Sequence, residues 1–210
     1  MTITDIIENR GIGELLHFTT NRGITGMASS NYVLSRSRLS KDKHLEHVYL
    51  YNCESRDGDT AWHDYVNLSI TTVNRNLFGI SEGRWHRGRD GWWCILSITP
   101  QVMEHAGVYF ATTNNMYTGV SRNVGAEGLE ALFAPQTQRW NGKTITRSEG
   151  TTPSQPTCPQ AEVLYPGRLP LGFVNAVYVK GNEQCAALES IFELYNAETK
   201  VIIAPHLFNQ

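Results

Sequence analysis

Long apolar runs and paired cysteines are both missing from this sequence, and each absence excludes a class of protein. No stretch approaches the roughly 18 to 20 consecutive apolar residues that a membrane-spanning helix needs, and the segment from Met1 to Glu8 lacks the basic-then-apolar layout of a secretion signal. The 4 cysteines in 210 residues show no C-x-x-C spacing, so neither a structural zinc site nor a disulfide framework is indicated. The sequence therefore predicts a cytoplasmic protein with reduced, mostly buried thiols and no membrane contact.

Candidate metal ligands are also scarce. His44 and His47 form an H-x-x-H pair that one face of a helix can present to a metal, but no third ligand stands at a suitable position. Two solvated histidines are the better interpretation, and we expect no metal. The signatures of several enzyme classes are absent as well: there is no phosphate loop ending in Gly-Lys-Ser/Thr, no dinucleotide fingerprint after the first strand and no Gly-x-Ser-x-Gly turn.

Positive charge is not in excess, since the formal net charge is −2, and this argues against a protein that coats nucleic acid through bulk electrostatics. Basic residues are concentrated locally instead, around Trp85 and Trp92. A basic run with interleaved aromatic residues suits a single nucleic-acid strand, because phosphates need cations and unpaired bases need flat surfaces. A solvated loop with a few arginines is the more frequent alternative on composition alone. The candidate strand-binding residues are Arg84, Arg87, Arg89 and Trp140.

Short apolar runs bounded by Gly, Pro and polar residues predict short strands, and longer periodic segments predict helices. Asn21 is the expected N-cap of the first helix. Strands and helices do not alternate strictly, so the sequence predicts an α+β fold. Without an internal repeat or a linker, it predicts a single domain over residues 1–210. The strands are expected over 15–19, 92–98, 108–112, 161–164, 176–179 and 200–204, and the helices over 21–30, 125–134 and 182–196.

Three polar residues lie within apolar segments, where a polar group needs a partner. Glu162 lies in a brief strand directly after a long polar loop, His17 in the first strand, and Arg75 in the run 72–78. Each has a structural alternative: a hydrogen-bond acceptor for Glu162, a satisfied core residue for His17 and a buried ion pair for Arg75. The functional alternative is a catalytic carboxylate beside an arginine that binds an anionic ligand.

Three motifs occur in an order that resembles the DarT-type DNA ADP-ribosyltransferase toxins. They are His17-Phe18-Thr19, then His63-Asp64-Tyr65-Val66 followed by Asn74-Arg75, and finally Gln160-Ala161-Glu162-Val163-Leu164. Each motif alone is weak, but their order and separations match the family over about residues 15–180. The resemblance implies an ADP-ribosyltransferase fold, in which split, strongly curved β-sheets flanked by short helices hold NAD⁺ in the cleft between the halves.

The resemblance also implies roles for individual residues. Arg75 would contact the dinucleotide and help to activate the target base, and Glu162 would be the essential carboxylate. The loop from Gln138 to Pro159 would recognise the substrate. The residues implied to bind NAD⁺ are His17, Phe18 and Thr19 at the nicotinamide end, with Gly26 and Leu34 farther along the site and Arg75 on the dinucleotide.

Two segments depart from the family members that modify thymine. The stretch before the arginine is of the Pro-Phe-Tyr-Phe type in those members and is Asn67-Leu68-Ser69-Ile70 here. The segments Trp92-Trp93-Cys94 and Thr112-Thr113-Asn114-Asn115 resemble a distinct subgroup, for which guanine is the suspected target. The resemblance therefore implies modification of a base in single-stranded DNA, with guanine expected and thymine as the alternative.

An enzyme that modifies DNA is toxic to its own cell. The resemblance therefore implies a toxin–antitoxin system, with a partner whose macrodomain removes ADP-ribose, and a role in phage defence. Two rival functions remain open at this stage. One is an ADP-ribosyltransferase that acts on RNA or protein, and the other is a non-catalytic single-strand-binding module in which Glu162 and Arg75 form a buried ion pair.

Overall fold

A computed structural model describes residues 1–38, 57–85, 91–139 and 142–208 of the protein. The α-helices are α1 (Ile3–Arg10), α2 (Asn21–Ser30), α3 (Arg75–Ile80), α4 (Gly125–Ala131) and α5 (Asn182–Leu194). The strands are β1 (Leu15–Thr20), β2 (Tyr32–Leu34), β3 (Tyr65–Ile70), β4 (Trp93–Ile98), β5 (Tyr109–Ala111), β6 (Arg122–Asn123), β7 (Gln136–Gln138), β8 (Thr144–Thr146), β9 (Glu162–Pro166), β10 (Arg168–Pro170), β11 (Val174–Val179) and β12 (Lys200–Ile203). The mixture of short helices and mainly antiparallel strands confirms the predicted α+β class.

One sheet of eight strands forms the centre of the described chain, in the order β12-β11-β4-β1-β3-β9-β5-β6. Only the β11–β12 pair at its edge is parallel, and its other neighbouring strands are antiparallel. Two small pairs, β2 with β10 and β7 with β8, lie outside this sheet. The order of strands places β1 and β9, which carry two of the sequence motifs, on either side of β3.

The central sheet is split between β1 and β3. These strands pair only at Leu15 with Ile70 and at Leu16 with Ser69, whereas β1 pairs with β4 along its whole length. Beyond Leu16 the His17 side chain bridges the two strands, with its Nδ1 atom 2.9 Å from the carbonyl oxygen of Asn67. Strands β1 and β3 therefore stop pairing beside the first sequence motif.

Two hydrophobic clusters lie on opposite faces of the sheet, because successive strand residues point to opposite sides. The larger cluster contains Leu15 of β1 and Val163 of β9, with helices α1, α2, α4 and α5 packed around it. The smaller cluster contains Leu16 and Phe18 of β1, with α3 packed over them through Phe78. This alternation determines which polar residues share a face with α3.

The sequence predicted several elements correctly and missed others. Strands β1, β4, β9, β11 and β12 and helices α2 and α5 lie where they were expected, within a few residues. Helix α4 ends at Ala131, three residues earlier than predicted, although Leu129, Leu132 and Phe133 are buried as expected. Strand β3 and helix α1 were not predicted, and hairpin β7–β8 occupies part of the expected polar loop.

The predicted N-cap of α2 was wrong by one residue. Thr20, not Asn21, caps the helix, and its Oγ1 accepts a hydrogen bond from the Gly23 backbone N–H. The Asn21 side chain instead accepts from the Trp92 backbone N–H, so it joins α2 to the start of β4. Among the described residues no helix could cross a membrane, since α5, the longest, has 13 residues.

Candidate active site

Glu162 is a buried carboxylate at the start of β9, with only 5% of its surface exposed. Its neighbours Ala161 and Val163 belong to the larger hydrophobic cluster, so the Glu162 side chain projects from the opposite face of the sheet. There its Oε2 accepts a 2.8 Å hydrogen bond from the backbone N–H of Asn115. A buried carboxylate needs such donors, and a backbone donor holds it in a fixed position.

The segment between β5 and β6, residues 112–121, packs along the start of β9. Besides Asn115, its Thr113 places Oγ1 3.2 Å from the Sγ of Cys158, and the Tyr117 hydroxyl donates to Oε1 of Gln160 at 3.1 Å. The chain on the N-terminal side of Glu162 is therefore fixed by side chains as well as by the sheet. This segment contains residues 112–115, which were predicted from the sequence to resemble a distinct subgroup.

Arg75 is the first residue of α3, whose N-cap is Asn74. Helix α3 packs through Phe78 onto Phe18, with ring centroids 5.2 Å apart, so Arg75 and Glu162 lie on the same face of the sheet. The Arg75 Nη1 donates a 2.8 Å hydrogen bond to the backbone carbonyl of Leu207. Burial lowers the pKa of the Arg75 guanidinium from its ordinary value, but an arginine remains a cation at neutral pH.

The half-buried His17 has a defined tautomer. Its Nδ1 faces the carbonyl oxygen of Asn67, and a carbonyl can only accept, so Nδ1 carries the proton and Nε2 is an acceptor in the neutral ring. Burial lowers the pKa of His17 from its ordinary value of 6.5, and the hydrogen bond to Asn67 opposes that shift only in part. The histidine is therefore neutral at pH 7.

This lowered pKa predicts how stability changes with pH. In the folded state His17 resists protonation, whereas in the unfolded chain it takes a proton below about pH 6.5. The contribution of neutral His17 is therefore complete above that value, and the free energy of unfolding falls as the pH drops from 6.5 through the folded pKa. Substitution His17→Gln, which has no proton to gain, should flatten this part of the curve.

The measurement is denaturant unfolding at half-unit steps from pH 5 to 7.5. His206 is exposed, so His206→Gln makes the same substitution at a solvated position and should leave the slope of the wild-type curve. A His17→Gln curve with the wild-type slope would show that another group titrates.

The other predicted NAD⁺-binding residues lie on β1, α2 and β2. Phe18 is buried, and its ring packs into the smaller cluster. Thr19 is buried beside Gly23, where an added Cβ would lie 2.2 Å from the Thr19 Oγ1. Gly26 lies within α2 and Leu34 at the end of β2, both half-buried. The motif thus forms the second half of β1, directly before α2.

The predicted strand-binding residues are only partly described. Arg84 is exposed in the π-helical turn Ser81–Trp85 that follows α3. Arg87, Arg89 and Trp140 lie outside the described residues, as does the His44–His47 pair. Trp93 is buried in the smaller cluster, and Trp92 is half-buried against the larger cluster, so both tryptophans pack in the core. Nowhere in the described ranges do three His, Cys, Asp or Glu side chains group as metal ligands.

The loop before Glu162 is anchored by several polar contacts. Arg147 donates to the carbonyl oxygens of Gln155 and Thr152, each at 2.7 Å. The Thr157 hydroxyl donates to the carbonyl of Ala134 at 2.6 Å, which ties the loop to the chain after α4. The predicted recognition loop Gln138–Pro159 is therefore fixed at its C-terminal end, close to the carboxylate.

A cavity of about 150 Å³ lies between this loop and the end of β3. Ile70 and Ala161 line it, and both belong to the face of the sheet opposite to Glu162. Thr71 beside it has φ 63°, a strained backbone conformation for a β-branched residue, and its hydroxyl donates to the Ser154 carbonyl at 3.1 Å. The cavity is therefore separate from the surface that Glu162 shares with Arg75.

Sequence reasoning missed the residues that hold the two candidate catalytic side chains. Asn115 was noted only as part of a divergent segment, and Leu207 was not noted. Both act through backbone atoms, which carry no side-chain signal in a sequence. Gln160 belonged to a quoted motif, and in the structure its Oε1 accepts from both Tyr117 and Arg139.

Comparisons with known proteins agree with this geometry. A family described as "ssDNA thymidine ADP-ribosyltransferase, DarT" matches residues 16–209, and a search of curated proteins finds no significant match. The structure of Thermus sp. 2.9 DarT in complex with carba-NAD⁺ is similar, with a TM-score of 0.66 at 13% identity over 93% of this chain and 97% of that one.

Two further solved structures are similar. One is Thermus sp. 2.9 DarT in complex with ADP-ribosylated single-stranded DNA, with a TM-score of 0.62 at 14% identity over 94% of this chain and 96% of that one. The other is Thermosipho africanus DarTG in complex with ADP-ribose, with a TM-score of 0.58 at 13% identity over 93% of this chain and 51% of that one. These similarities confirm the predicted ADP-ribosyltransferase fold, and the family match over residues 16–209 shows that the chain belongs to the DarT family of single-stranded-DNA ADP-ribosyltransferases.

Proposed function

We propose that the protein transfers ADP-ribose from NAD⁺ to a guanine base of single-stranded DNA, with Glu162 as the catalytic carboxylate. The observation that carries this proposal is the placement of a buried, hydrogen-bonded carboxylate on the same face of the sheet as Arg75, on the strand that follows β3 in the sheet order. A structural ion pair would need only the two side chains. A transferase also needs room for NAD⁺, which we propose to lie where β1 and β3 no longer pair.

The role of Glu162 follows from the chemistry of the transfer. The bond between the ribose C1′ and nicotinamide breaks, nicotinamide leaves as a neutral molecule with the electron pair, and positive charge develops on the sugar. A fixed carboxylate beside the ribose stabilises that charge without reorganising during the reaction. A nitrogen of the base then bonds to C1′, and Glu162 is the group that accepts the proton which the base loses.

Arg75 has a different role. Its guanidinium remains protonated and cannot act as a general base. A cation at the start of α3, on the same face as the carboxylate, suits the pyrophosphate of the dinucleotide or a carbonyl oxygen of the target base. His17, Phe18 and Thr19 form the strand end that receives the nicotinamide, and Gly26 and Leu34 extend this surface along α2 and β2.

The acceptor is a single strand because a duplex hides the reacting edge of its bases. Exposed Arg84 is the described member of the basic cluster that we propose to bind the phosphates, together with Arg87, Arg89 and the stacking residue Trp140. The preference for guanine rests on the divergent segment 112–115. Its Asn115 lies against Glu162, so the difference from thymine-modifying members falls at the reacting groups.

The test is a labelling experiment with four oligonucleotides. The protein is incubated with NAD⁺ and single strands that each lack one base, and ADP-ribose adducts are measured by mass spectrometry. We expect an adduct on every strand except the one without guanine. If the adduct were lost only on the strand without thymine, the target base would be thymine, which the family description names.

Two other outcomes separate the remaining alternatives. Consumption of NAD⁺ with no adduct on any DNA strand would point to RNA or protein as the acceptor. Intact NAD⁺ with no adduct would contradict the enzymatic function and favour a binding module.

We also propose that the protein is the toxin of a toxin–antitoxin system that acts in phage defence, and that its partner removes ADP-ribose from DNA through a macrodomain. Modification of bases blocks templates in the producing cell, so a reversing activity is needed for survival. The structurally similar Thermosipho DarTG supports this proposal by its length, because the present chain matches 51% of it.

A further inference from the structure

The position of the Glu162 carboxylate depends on a loop that no regular secondary structure fixes. Residues 112–121 join β5 to β6, and the backbone N–H of Asn115 in this loop donates to Glu162. Asn115 is 1% exposed, yet it lies several residues from either strand. Thr113 and Tyr117 anchor this loop to the chain before β9, but one N–H between them needs a further restraint to stay in place.

Arg122 supplies that restraint through two nitrogens of its guanidinium, Nε and Nη2. Its Nη2 donates to the backbone carbonyl of Asn115 at 2.6 Å, and its Nε donates to the Oδ1 of the same residue. Two parallel contacts from a planar fork fix the orientation of Asn115 as well as its distance. Arg122 itself opens β6 and pairs with Ala111, which is the partner of Glu162 in the sheet.

An aromatic cluster holds the other side of the guanidinium. The Arg122 Cζ lies 4.9 Å from the ring centroid of Trp62, a cation–π distance. Trp62 packs on Tyr65 of β3 and Tyr109 of β5, at 5.0 and 5.1 Å between centroids. Because β3 and β5 are the two neighbours of β9, the restraint begins and ends on the strands that flank Glu162.

We infer that Arg122 is a positioning residue for Glu162, acting through the Asn115 backbone N–H. The inference rests on the proposed function, in which Glu162 is the catalytic carboxylate. Without the two guanidinium hydrogen bonds, the Asn115 N–H is present but is no longer held in one position. Displacement of a catalytic group by about 1 Å costs on the order of 100-fold in rate. The loss falls on kcat, because Arg122 acts on the loop that holds Glu162, whereas the proposed NAD⁺-binding residues lie on β1, α2 and β2.

The test compares Arg122→Ala and Arg122→Lys with Arg168→Ala. Lysine keeps the cation over Trp62 but cannot donate as a planar fork, so both Arg122 variants should lose about 100-fold in kcat, with the KM for NAD⁺ and for DNA within a few-fold of wild type. Arg168 is exposed and stacks on Tyr32 in the same way, at 4.8 Å. Its removal is the matched control and should leave kcat unchanged.

A measurement without substrate separates this inference from the proposed function. Hydrogen exchange of the peptide that contains Asn115 should be about tenfold faster in Arg122→Lys than in wild type, whether or not the protein transfers ADP-ribose. An inactive wild type would contradict the proposed function alone. Wild-type exchange in the Lys variant, or a raised KM with normal kcat, would overturn the positioning role.

Asn115→Ala provides a second variant in case the Arg122 substitutions impair folding. It removes the Oδ1 contact and keeps the backbone contact, so a smaller loss of kcat than in Arg122→Ala is expected. A loss of kcat larger than that of Arg122→Ala would contradict transmission through the backbone.

Discussion

Glu162→Gln is expected to lower the rate of ADP-ribose transfer to DNA by on the order of 1,000-fold, with little change in stability. The amide has the shape of the carboxylate and its oxygen can still accept from the Asn115 N–H, so the loop over β9 should stay in place. The negative charge that stabilises the developing cation on the ribose is lost, as is the group that accepts the proton. Removal of one preorganised electrostatic group typically costs 10²- to 10³-fold in rate.

The measurement is a single-turnover assay of adduct formation by mass spectrometry, with thermal unfolding of each variant as the test of folding. Glu127→Gln is the matched control, because Glu127 is exposed in the first turn of α4. It should modify DNA at the wild-type rate. If Glu162→Gln and Glu127→Gln were equally active, Glu162 would be a structural acceptor and the catalytic assignment would be wrong.

The sequence predicted the strands that carry the site because their local patterns are strong. The run Leu15–Thr20 and the run after Pro159 are short, apolar and bounded by polar or Gly-rich segments, as strands are. Glu162 and Arg75 stood out as charged residues in such runs. Composition and periodicity alone predicted only the α+β class. The order of the three motifs, through the family resemblance, predicted the ADP-ribosyltransferase fold.

Two elements were missed although the sequence contains their signals. Strand β3 reads Tyr-Val-Asn-Leu-Ser-Ile, a strict alternation of polar or aromatic with aliphatic residues that is typical of a half-buried strand. Thr2 and Asp5 form the capping box that begins α1, in which each side chain accepts from the other's backbone N–H. Both signals are local, so both elements could have been predicted from the sequence.

The contacts that hold the two candidate catalytic side chains could not be predicted from local pattern. Asn115 and Glu162 are 47 residues apart, and Arg75 and Leu207 are 132 apart. In each pair a backbone atom meets a side chain, so the identity of the residue at 115 or 207 carries no information about the contact. Such pairings depend on the order of strands in the sheet, which three motifs on separate strands do not specify.

Arg75→Ala is expected to lower kcat/KM for DNA modification by about 100- to 1,000-fold, and Arg75→Lys by nearly as much. A lysine ammonium has the charge but lacks the planar set of donors that suits a pyrophosphate or a base carbonyl. Arg75→Ala also removes the hydrogen bond from the Arg75 Nη1 to the Leu207 carbonyl. Hydrogen bonds to charged groups contribute about 1.5–3 kcal/mol each, so some loss of stability accompanies the loss of activity.

Phe208→Ala separates these two effects. Phe208 is 6% exposed in the smaller cluster, with its ring 6.2 Å from that of Phe78, and truncation of such a buried ring costs about 3–5 kcal/mol. This variant weakens the anchor of the chain around Leu207 and leaves the guanidinium in place. If Arg75 acts on substrate, Phe208→Ala should lose more stability than Arg75→Ala in denaturant unfolding but far less kcat/KM. Equal losses of kcat/KM in the two variants would mean that Arg75 serves the reaction only by holding the segment that contains Leu207.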